Sequence, residues 1–338
     1  MITLLTDPHK WDQAVELSYY PYISYKYGWL HAVGSYFSHL KPLPFAKLDE
    51  EGKVEYVCPC WHDSQKAQII SSPLVVPGFI NQNREPQEMV EALLDYARKE
   101  KCRRIHLQIP PGYNYADVLL AMGFRLVRKV CFYNIDIKGL QSLEEYLEKR
   151  CTKNRKYDIR YALKQGLQID ILEPSPQALD RFYVFYKELG RRRGFETFDK
   201  SFIESISRSL HPFARIWVVS VEGVDVGSAF TFEFKGRLWG WLLQSGQEFR
   251  KFKPDSFLFA ANIRYGIKKG MHVIDMGTSP LESPLGKFKQ RFGAYPVFNE
   301  VYELDLSLFG LFNRAFVDLK TIVKNRWLHG KNNKIFST

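Results

Sequence analysis

The sequence predicts an α+β protein, with mixed sheets flanked by helices, built from two similar halves. Helix-type and strand-type patterns alternate along the chain, and a segment that starts at Tyr96 recurs 169 residues later, at Tyr265. Each copy reads helix, strand, loop or short helix, glycine, and a long strand that ends in aspartate, at Asp136 and Asp305. A length of 338 residues with 45% hydrophobic content is enough for about two domains.

The first half opens with two predicted helices and continues with strands. The helix before the repeated strand begins at Pro86, whose fixed φ suits a first helical turn, and Glu85 and Glu88 lie near its positive end. We predict helices over about 10–17, 26–37 and 86–100, and strands over about 45–48, 53–60 and 68–71.

The second half contains longer helices and a run of strands. Residues 142–166 read as one or two helices closed by Gly166, and a further helix runs from Ser175 or Pro176 to Gly194. We predict strands over 214–221, 226–234, 238–244 and 272–276, and a helix capped by Asp255 or Ser256 that stops at Gly270. The pattern suggests helices on one side and mostly antiparallel strands on the other. The predicted domains are 1–138 and 139–306, followed by a tail over 307–338.

The charge favours an anionic partner. The formal net charge is +11, which suits nucleic acid, a nucleotide-like cofactor or an acidic membrane face. No window of about 20 apolar residues predicts a transmembrane helix, and the first residues do not resemble a signal peptide. Five scattered cysteines are typical of a reducing compartment, so we expect a cytoplasmic protein.

The segment GKFKQRFG, directly after the strand VIDMG, is the strongest candidate for chemistry. On a helix Phe288 and Phe292 share one face and pack inward. Lys289 then points in another direction, towards the opening of the loop at Gly277. A lysine held there can stabilise an oxyanion or a phosphate, although a solvated helix face gives the same pattern. Asp275, at the strand end, is either a general base or an organiser of the turn that follows.

The order of four segments resembles that of FemAB-like proteins. These segments are WDQAVELSYYPYISYKYGWLHAV, TKNRKYDIRYALKQGL, FYKELGRRRGF, and IDMGTSP followed by GKFKQRFGA. The resemblance implies two tandem GNAT-like domains that transfer an acyl or aminoacyl group onto an amine of a cell-envelope precursor. The best-known members take amino acids from aminoacyl-tRNA to peptidoglycan precursors. In studied members the Phe-Lys pair lies by the reaction centre, which corresponds to Phe288 and Lys289.

The resemblance also implies residues for substrate and phosphate binding. Two arginines of the basic helix, Arg155 and Arg160, match the family's arginine positions, and arginine forks suit phosphates. The remaining candidates are Arg193, Arg250, Gly277 and Ser279. Ordinary GNAT enzymes hold the CoA diphosphate at a glycine-rich turn before a helix, whereas the corresponding segment QSGQEFRKFKPDS has few glycines. We expect no bound cofactor, and acyl-CoA or aminoacyl-tRNA as donor substrate.

Two alternative functions stay open. One is aminoacyl-tRNA-dependent synthesis of peptidoglycan bridges, with tRNA as partner; the other is a non-catalytic module that binds envelope lipid or polysaccharide. The acceptor we expect is an anionic small molecule or a lipid-linked envelope precursor.

Three further features have a plain structural explanation as well as a functional one. Cys58, Cys60 and His62 lie on one face of a strand, but no fourth zinc ligand has suitable spacing, so we expect core packing and no metal. His106 occupies the Asp275 position of the first repeat and reads as a core residue. Apolar residues at helical spacing after Phe309 predict a basic amphipathic helix, either packed on its own domain or at the inner face of the membrane.

Overall fold

The computed structural model describes residues 1–18, 20–72 and 86–307, and within them twelve strands form one sheet. The strands alternate with helices in a pattern that is repeated in the two halves of the chain. The strands of the first half are β1 (Ile2–Leu4), β2 (Leu40–Leu48), β3 (Val54–Asp63), β4 (Gln68–Ile70), β5 (Arg104–Ile109) and β6 (Arg125–Asp136). Those of the second half are β7 (Gln168–Leu172), β8 (Ala214–Val221), β9 (Val224–Phe234), β10 (Arg237–Ser245), β11 (Val273–Thr278) and β12 (Tyr295–Asp305).

Ten α-helices and two short 3₁₀ turns connect these strands within the described residues. The first half contains α1 (Pro8–Glu16), a 3₁₀ turn (Ile23–Tyr25), α2 (Tyr27–Tyr36), α3 (Gln87–Lys99) and α4 (Ala116–Ala121). The second half contains α5 (Leu143–Arg150), α6 (Lys153–Ala162), α7 (Pro176–Arg193), α8 (Lys200–Ser209), a 3₁₀ turn (Arg250–Phe252), α9 (Pro254–Lys268) and α10 (Pro284–Arg291). No helix in this part of the chain is long and apolar enough to cross a membrane.

The repeat seen in the sequence corresponds to equivalent elements of the two halves. β5 begins at Arg104 and β11 at Val273, 169 residues later, and β6 and β12 end at Asp136 and Asp305 with the same offset. In each half one pair of neighbouring strands is parallel, β4 with β5 and β10 with β11, while the other neighbours in the sheet are antiparallel. The predicted fold class, a mixed α/β architecture with repeated halves, is therefore confirmed.

The two halves exchange their last strands. The order across the middle of the sheet is β5-β12-β6-β11, so β12 lies between two strands of the first half. Conversely, β6 pairs with β11 of the second half, where Val273 lies opposite Asp136. This exchange merges the halves into one continuous mixed sheet. The domain boundaries at 138 and 306 stay predictions.

Helices cover both faces of the sheet, which corrects the expected one-sided arrangement. The reason is visible in β8, where Ile216 and Val218 enter one apolar cluster while Trp217 and Val219 enter another on the opposite face. Strands buried on both faces need a helical layer on each side. Helices α1, α2, α7 and α8 cover the first face, and α5, α6 and α9 the second.

Most predicted elements are present, with shifted ends. β2 starts earlier than expected and runs through Pro42 and Pro44, and α8 and the short strand β7 were not predicted. The predicted cap of α9 by Asp255 or Ser256 was wrong, because the helix begins at Pro254 after Lys253, whose φ of 56° is left-handed. The predicted C-terminal helix after Phe309 lies outside the described residues.

The turn between α10 and β12 leaves no room for a side chain at Gly293. Its φ is +82°, and an added Cβ would lie 2.5 Å from the carbonyl oxygen of Arg150. We therefore expect Gly293→Ala to lower the free energy of unfolding more than Gly223→Ala does. Gly223 has a similar φ of +78° with nothing within 4 Å of the added Cβ, so its change costs only about 1 kcal/mol of backbone strain. Urea denaturation measures both, and equal losses would contradict the close approach.

Candidate active site at the end of β11

β10 and β11 separate after a short parallel pairing. They pair only from Arg237 to Trp239 and from Val273 to Asp275, although β10 continues to Ser245. An extra residue in each strand causes the separation, since the register of β10 shifts after Gly240 and that of β11 shifts after Asp275. The resulting gap between 240–245 of β10 and 277–278 of β11 is called the wedge below.

The carboxylate of Asp275 is buried at the base of the wedge, where other groups of the protein donate hydrogen bonds to it. Its carboxylate is 1% exposed. Oδ2 accepts hydrogen bonds from the Tyr22 hydroxyl at 2.5 Å and from Arg237 Nη1 at 3.3 Å, and Oδ1 accepts from the Gly277 amide at 2.7 Å. Burial, and then the charge of Asp275, raise the pKa of Tyr22, so its phenol stays protonated and remains a donor.

Arg237 supplies the positive charge that Asp275 needs in a buried position. Its guanidinium also donates to Asn134 Oδ1 at 3.2 Å, and it lies 5.0 Å from the Tyr20 ring centroid and 5.3 Å from that of Tyr22. Tyr20 and Tyr22 come from the segment between α1 and α2, so the first half of the chain closes over an ion pair of the second half.

Lys289 lies at the end of β11, next to the wedge. Its Nζ donates to the carbonyl oxygens of Gly277 at 3.1 Å and Thr278 at 2.9 Å, and it lies 5.5 Å from the Tyr133 ring centroid. Burial lowers its pKa from 10.5 to about 8, against the opposing charge of Asp275. Gly277 is therefore held at its backbone N–H by Asp275 and at its backbone carbonyl by Lys289.

The start of α10 explains why Lys289 is held so firmly. The Ser283 hydroxyl caps the helix by accepting from the Gly286 amide at 3.0 Å, and Pro284 occupies the first turn. An added Cβ at Gly286 would meet the Pro280 carbonyl oxygen at 2.6 Å. The rings of Phe288 and Phe292 are 5.1 Å apart, and Phe292 is fully buried.

Arg155, which belongs to α6, stacks on Phe288 and lies next to the start of α9. Its guanidinium carbon is 4.6 Å from the ring centroids of both Phe288 and Phe292, and its Nη1 donates to Ser256 Oγ at 3.1 Å. Asp158 pairs with Arg155 at 3.1 Å and with Lys253 at 2.5 Å. The start of α9, where a helix attracts anions, thus already has a carboxylate of the protein beside it.

The structure brings some of the predicted site residues together and leaves others apart. Asp275, Gly277, Lys289 and Phe288 form one group with Arg155. Ser279 adjoins it: its amide donates to the Cys131 carbonyl at 3.2 Å, and its buried hydroxyl has no partner among the described residues. The other predicted arginines are exposed, and within the described part of the chain they do not contact this group: Arg160, which pairs with Glu144 and Glu148, Arg193 and Arg250.

The cysteine cluster belongs to the core. Cys58 and Cys60 are fully buried with their sulfur atoms 3.5 Å apart, and within residues 1–18, 20–72 and 86–307 no group of three or more His, Cys, Asp and Glu residues is placed to hold a metal.

The sequence analysis did not identify two residues of the candidate site, Tyr22 and Arg237. The dense aromatic segment YYPYIS was a signal for Tyr22, but nothing local marks Arg237.

Comparisons with known proteins identify the fold. Residues 149–289, from the last residues of α5 to Lys289 in α10, match the sequence model of an acetyltransferase (GNAT) domain. No curated protein sequence matches the chain. Among solved structures, FemX superposes with a TM-score of 0.72 at 17% identity, covering 90% of this chain and 97% of FemX.

Two further solved structures share the architecture. L-PGS from Bacillus licheniformis has a TM-score of 0.59 at 13% identity and covers 94% of this chain and 97% of its own. A tandem GNAT protein of the clavulanic acid biosynthesis pathway has a TM-score of 0.52 at 11% identity, with 80% and 84% covered. The chain therefore has the tandem GNAT fold, and the predicted likeness to FemAB-like proteins is confirmed at the level of the fold.

Loss of Arg237 should leave a buried charge without its partner. We expect Arg237→Met to lower the free energy of unfolding by about 3 kcal/mol, because breaking a buried pair strands the remaining ion. Arg208→Met is the control: Arg208 is exposed and pairs with Glu204 on the same helix, so its loss costs about 0.5 kcal/mol or less. Urea denaturation of both variants checks this, and similar losses would mean that Asp275 does not depend on Arg237.

The lowered pKa of Lys289 predicts a specific dependence of stability on pH. Between about pH 8 and pH 10.5 the unfolded chain keeps the Lys289 proton while the folded protein loses it. The unfolded state then binds more protons, so the free energy of unfolding rises with pH over this window. We expect this rise to disappear in Lys289→Met and to persist in Lys287→Met, whose lysine is exposed. Urea titrations at pH 7.5 and pH 10 test it; identical pH slopes in the two variants would contradict it.

Proposed function

We propose that the protein transfers an acyl or aminoacyl group onto an amine of an anionic cell-envelope precursor, with the donor in the wedge. The observation that carries this proposal is the position of the Lys289 ammonium at the end of β11. A lysine ammonium has three N–H donors, and the carbonyls of Gly277 and Thr278 take two of them. No described residue takes the third, which is therefore available for an oxygen that becomes negative during the reaction.

The wedge itself suits an extended donor. Beyond Gly240 and Asp275 the facing edges of β10 and β11 no longer pair with each other. Unpaired strand edges accept an extended chain through backbone hydrogen bonds. An acyl or aminoacyl group lying in this gap brings its carbonyl to the end of β11, where Lys289 and the Ser279 hydroxyl lie.

The reaction needs no covalent enzyme intermediate. The acceptor amine attacks the acyl carbon, and the oxygen of the tetrahedral intermediate takes up the negative charge that the Lys289 N–H group stabilises. The bond to the leaving oxygen or sulfur then breaks, and the amine proton passes to the leaving group or to water. Asp275 acts here as the organiser of the Gly277 peptide, because both of its oxygens already accept hydrogen bonds.

The charges at the start of α9 help to decide which donor substrate the protein uses. GNAT enzymes hold the CoA diphosphate at this helix, but here Asp158 lies beside its start and pairs with Arg155 and Lys253. Because Asp158 already binds these two cations, they are less available to a diphosphate at this position, and we favour aminoacyl-tRNA over acyl-CoA. The fold neighbours support an envelope acceptor, since one of them is the C-terminal domain of a putative lysylphosphatidylglycerol synthetase from Agrobacterium fabrum (TM-score 0.60, 14% identity, 87% and 90% covered).

A donor screen tests this proposal. We expect aminoacyl-tRNA to raise the melting temperature, with a ligand at about 100 times its dissociation constant adding about 2.7 kcal/mol, and acetyl-CoA and longer acyl-CoAs to have no effect. A shift with an acyl-CoA would instead assign a thioester donor and overturn the role given to Asp158. If no donor raises the melting temperature of the folded protein, a non-catalytic binding module becomes the better description of its function.

Lys289→Met separates catalysis from binding. With the donor found in the screen and an amine-bearing peptidoglycan precursor as acceptor, we expect turnover to fall about 10²- to 10³-fold, the usual effect of losing one oxyanion donor. Donor binding should persist, because the wedge edges remain. Lys287→Met, two residues away on the exposed side of α10, should keep full turnover. Equal activity of wild type and Lys289→Met would remove Lys289 from the mechanism.

A further inference from the structure

A small cavity lies at the outer edge of the second half, between α9 and the end of the sheet. Its volume is about 210 Å³. The strand beside it, β7, is the last one of the sheet, and Ile171 of β7 lies opposite Trp217 of β8, on the face that carries α9. Ile171 is still 39% exposed, so the helix covers this corner of the sheet only in part.

The polar atoms on the floor of the cavity are already bonded to the protein. Trp217 is fully buried, and its Nε1 donates to Thr231 Oγ1 at 2.8 Å. The ring of Tyr265 lies 5.2 Å from that of Trp217, and its hydroxyl donates to Glu233 Oε1 at 2.7 Å. The rest of the apolar lining comes from Leu163, Ile169, Ile171, Phe257 and Ala261. An apolar group therefore suits this floor better than water does.

Two cations lie at one end of the cavity. Phe257, Ala261, Arg264 and Lys268 line it and follow one another at intervals of three and four residues, so they form one stripe along α9. The stripe changes from apolar to basic towards the end of the helix. Arg264 and Lys268 are both exposed. In the part of the chain that the structure describes, neither pairs with a carboxylate.

The acidic residues of the neighbouring strands have other partners. Asp170 projects from β7 to the opposite face of the sheet, because its neighbours in sequence line the cavity; there it pairs with Arg181 at 3.0 Å. Glu233 of β9 accepts from Tyr265 and pairs with Arg215 at 3.3 Å. The charges at the basic end of the cavity are therefore not neutralised by these carboxylates.

We propose that this cavity binds a medium-chain fatty acid, with its chain on Trp217 and its carboxylate at Arg264 and Lys268. A cavity of ~150 Å³ holds benzene, so 210 Å³ accommodates a chain of roughly six to eight carbons. Both cations donate charge-assisted hydrogen bonds to a carboxylate, whereas a purely apolar ligand leaves them unused.

The site is independent of the transfer proposed for the wedge. Ser256, at the start of α9, accepts from Arg155 beside Phe288. Arg264 lies eight residues further along the same helix, so roughly 12 Å of helix separates the basic end of the cavity from that arginine. Lys289→Met should therefore leave fatty acid binding unchanged.

Calorimetric titration of the full-length protein with sodium octanoate and with octanol tests the site. We expect saturable binding of octanoate and weaker binding of octanol, which has the same chain without the charge. In the double variant Arg264→Gln, Lys268→Gln the dissociation constant of octanoate should rise at least about fivefold, since both charge-assisted hydrogen bonds are lost, while that of octanol should not change. Both cations are exposed, so the variant should keep the melting temperature of the wild type.

Two further variants locate the site. Lys269→Gln is the matched control, since Lys269 follows Lys268 directly and lies 5.6 Å from the Tyr265 ring centroid; its binding of octanoate should equal that of the wild type. Ala261→Phe places a ring in the cavity and should abolish binding of both ligands.

Four results would overturn the proposal. These are no saturable binding of octanoate by the folded wild type, equal affinity for octanoate and octanol, an effect of Lys269→Gln as large as that of the double variant, and unchanged binding by folded Ala261→Phe. Equal affinity for the two ligands would show that the cations take no part and that the occupant is an uncharged apolar molecule.

Discussion

A buried carboxylate holds the centre of this protein together. Asp275 accepts from Tyr22 of the first half, from Arg237 of the neighbouring strand and from the Gly277 amide. An ion at 1% exposure is tolerated only when such partners surround it. Because the backbone carbonyl of the same Gly277 accepts from Lys289, the position of the lysine depends on the packing of the first half over the second. The geometry of the candidate site therefore depends on the contact between the halves.

The two halves share their topology and differ in their chemistry. Each half has one parallel strand pair, β4 with β5 and β10 with β11. In the second half this pair separates beside a lysine held by a capped helix; in the first half Leu120 stands at the position equivalent to that lysine. A duplicated scaffold allows its two copies to differ in chemistry, since side chains at equivalent positions vary while the sheet is kept.

The internal repeat and the spacing of Phe288 and Phe292 were sufficient to predict the fold class and the placement of Lys289 near Gly277, because both depend on local periodicity. The ion pair was not predictable, because Tyr22 is 253 residues from Asp275 in sequence. The strand exchange was not predictable from the sequence either, because an alternating pattern shows which face of β12 is buried but not which strands lie beside it. The sequence offered four candidate arginines in basic segments: Arg155, Arg160, Arg193 and Arg250. Only the folded structure shows that Arg155 is the one that stacks on Phe288.

The exchange of strands has a consequence for synthesis on the ribosome. β12 ends at Asp305 yet pairs with β5, which ends at Ile109, so β5 and β6 of the first half lack the strand between them until Asp305 has emerged. At 5–20 residues per second, roughly 10 to 40 seconds of translation separate the two strands. During that time the exposed strand edges of a nascent chain are liable to pair with other chains. The protein is therefore expected to fold late, as one unit, and to depend on chaperones that shield unpaired strands.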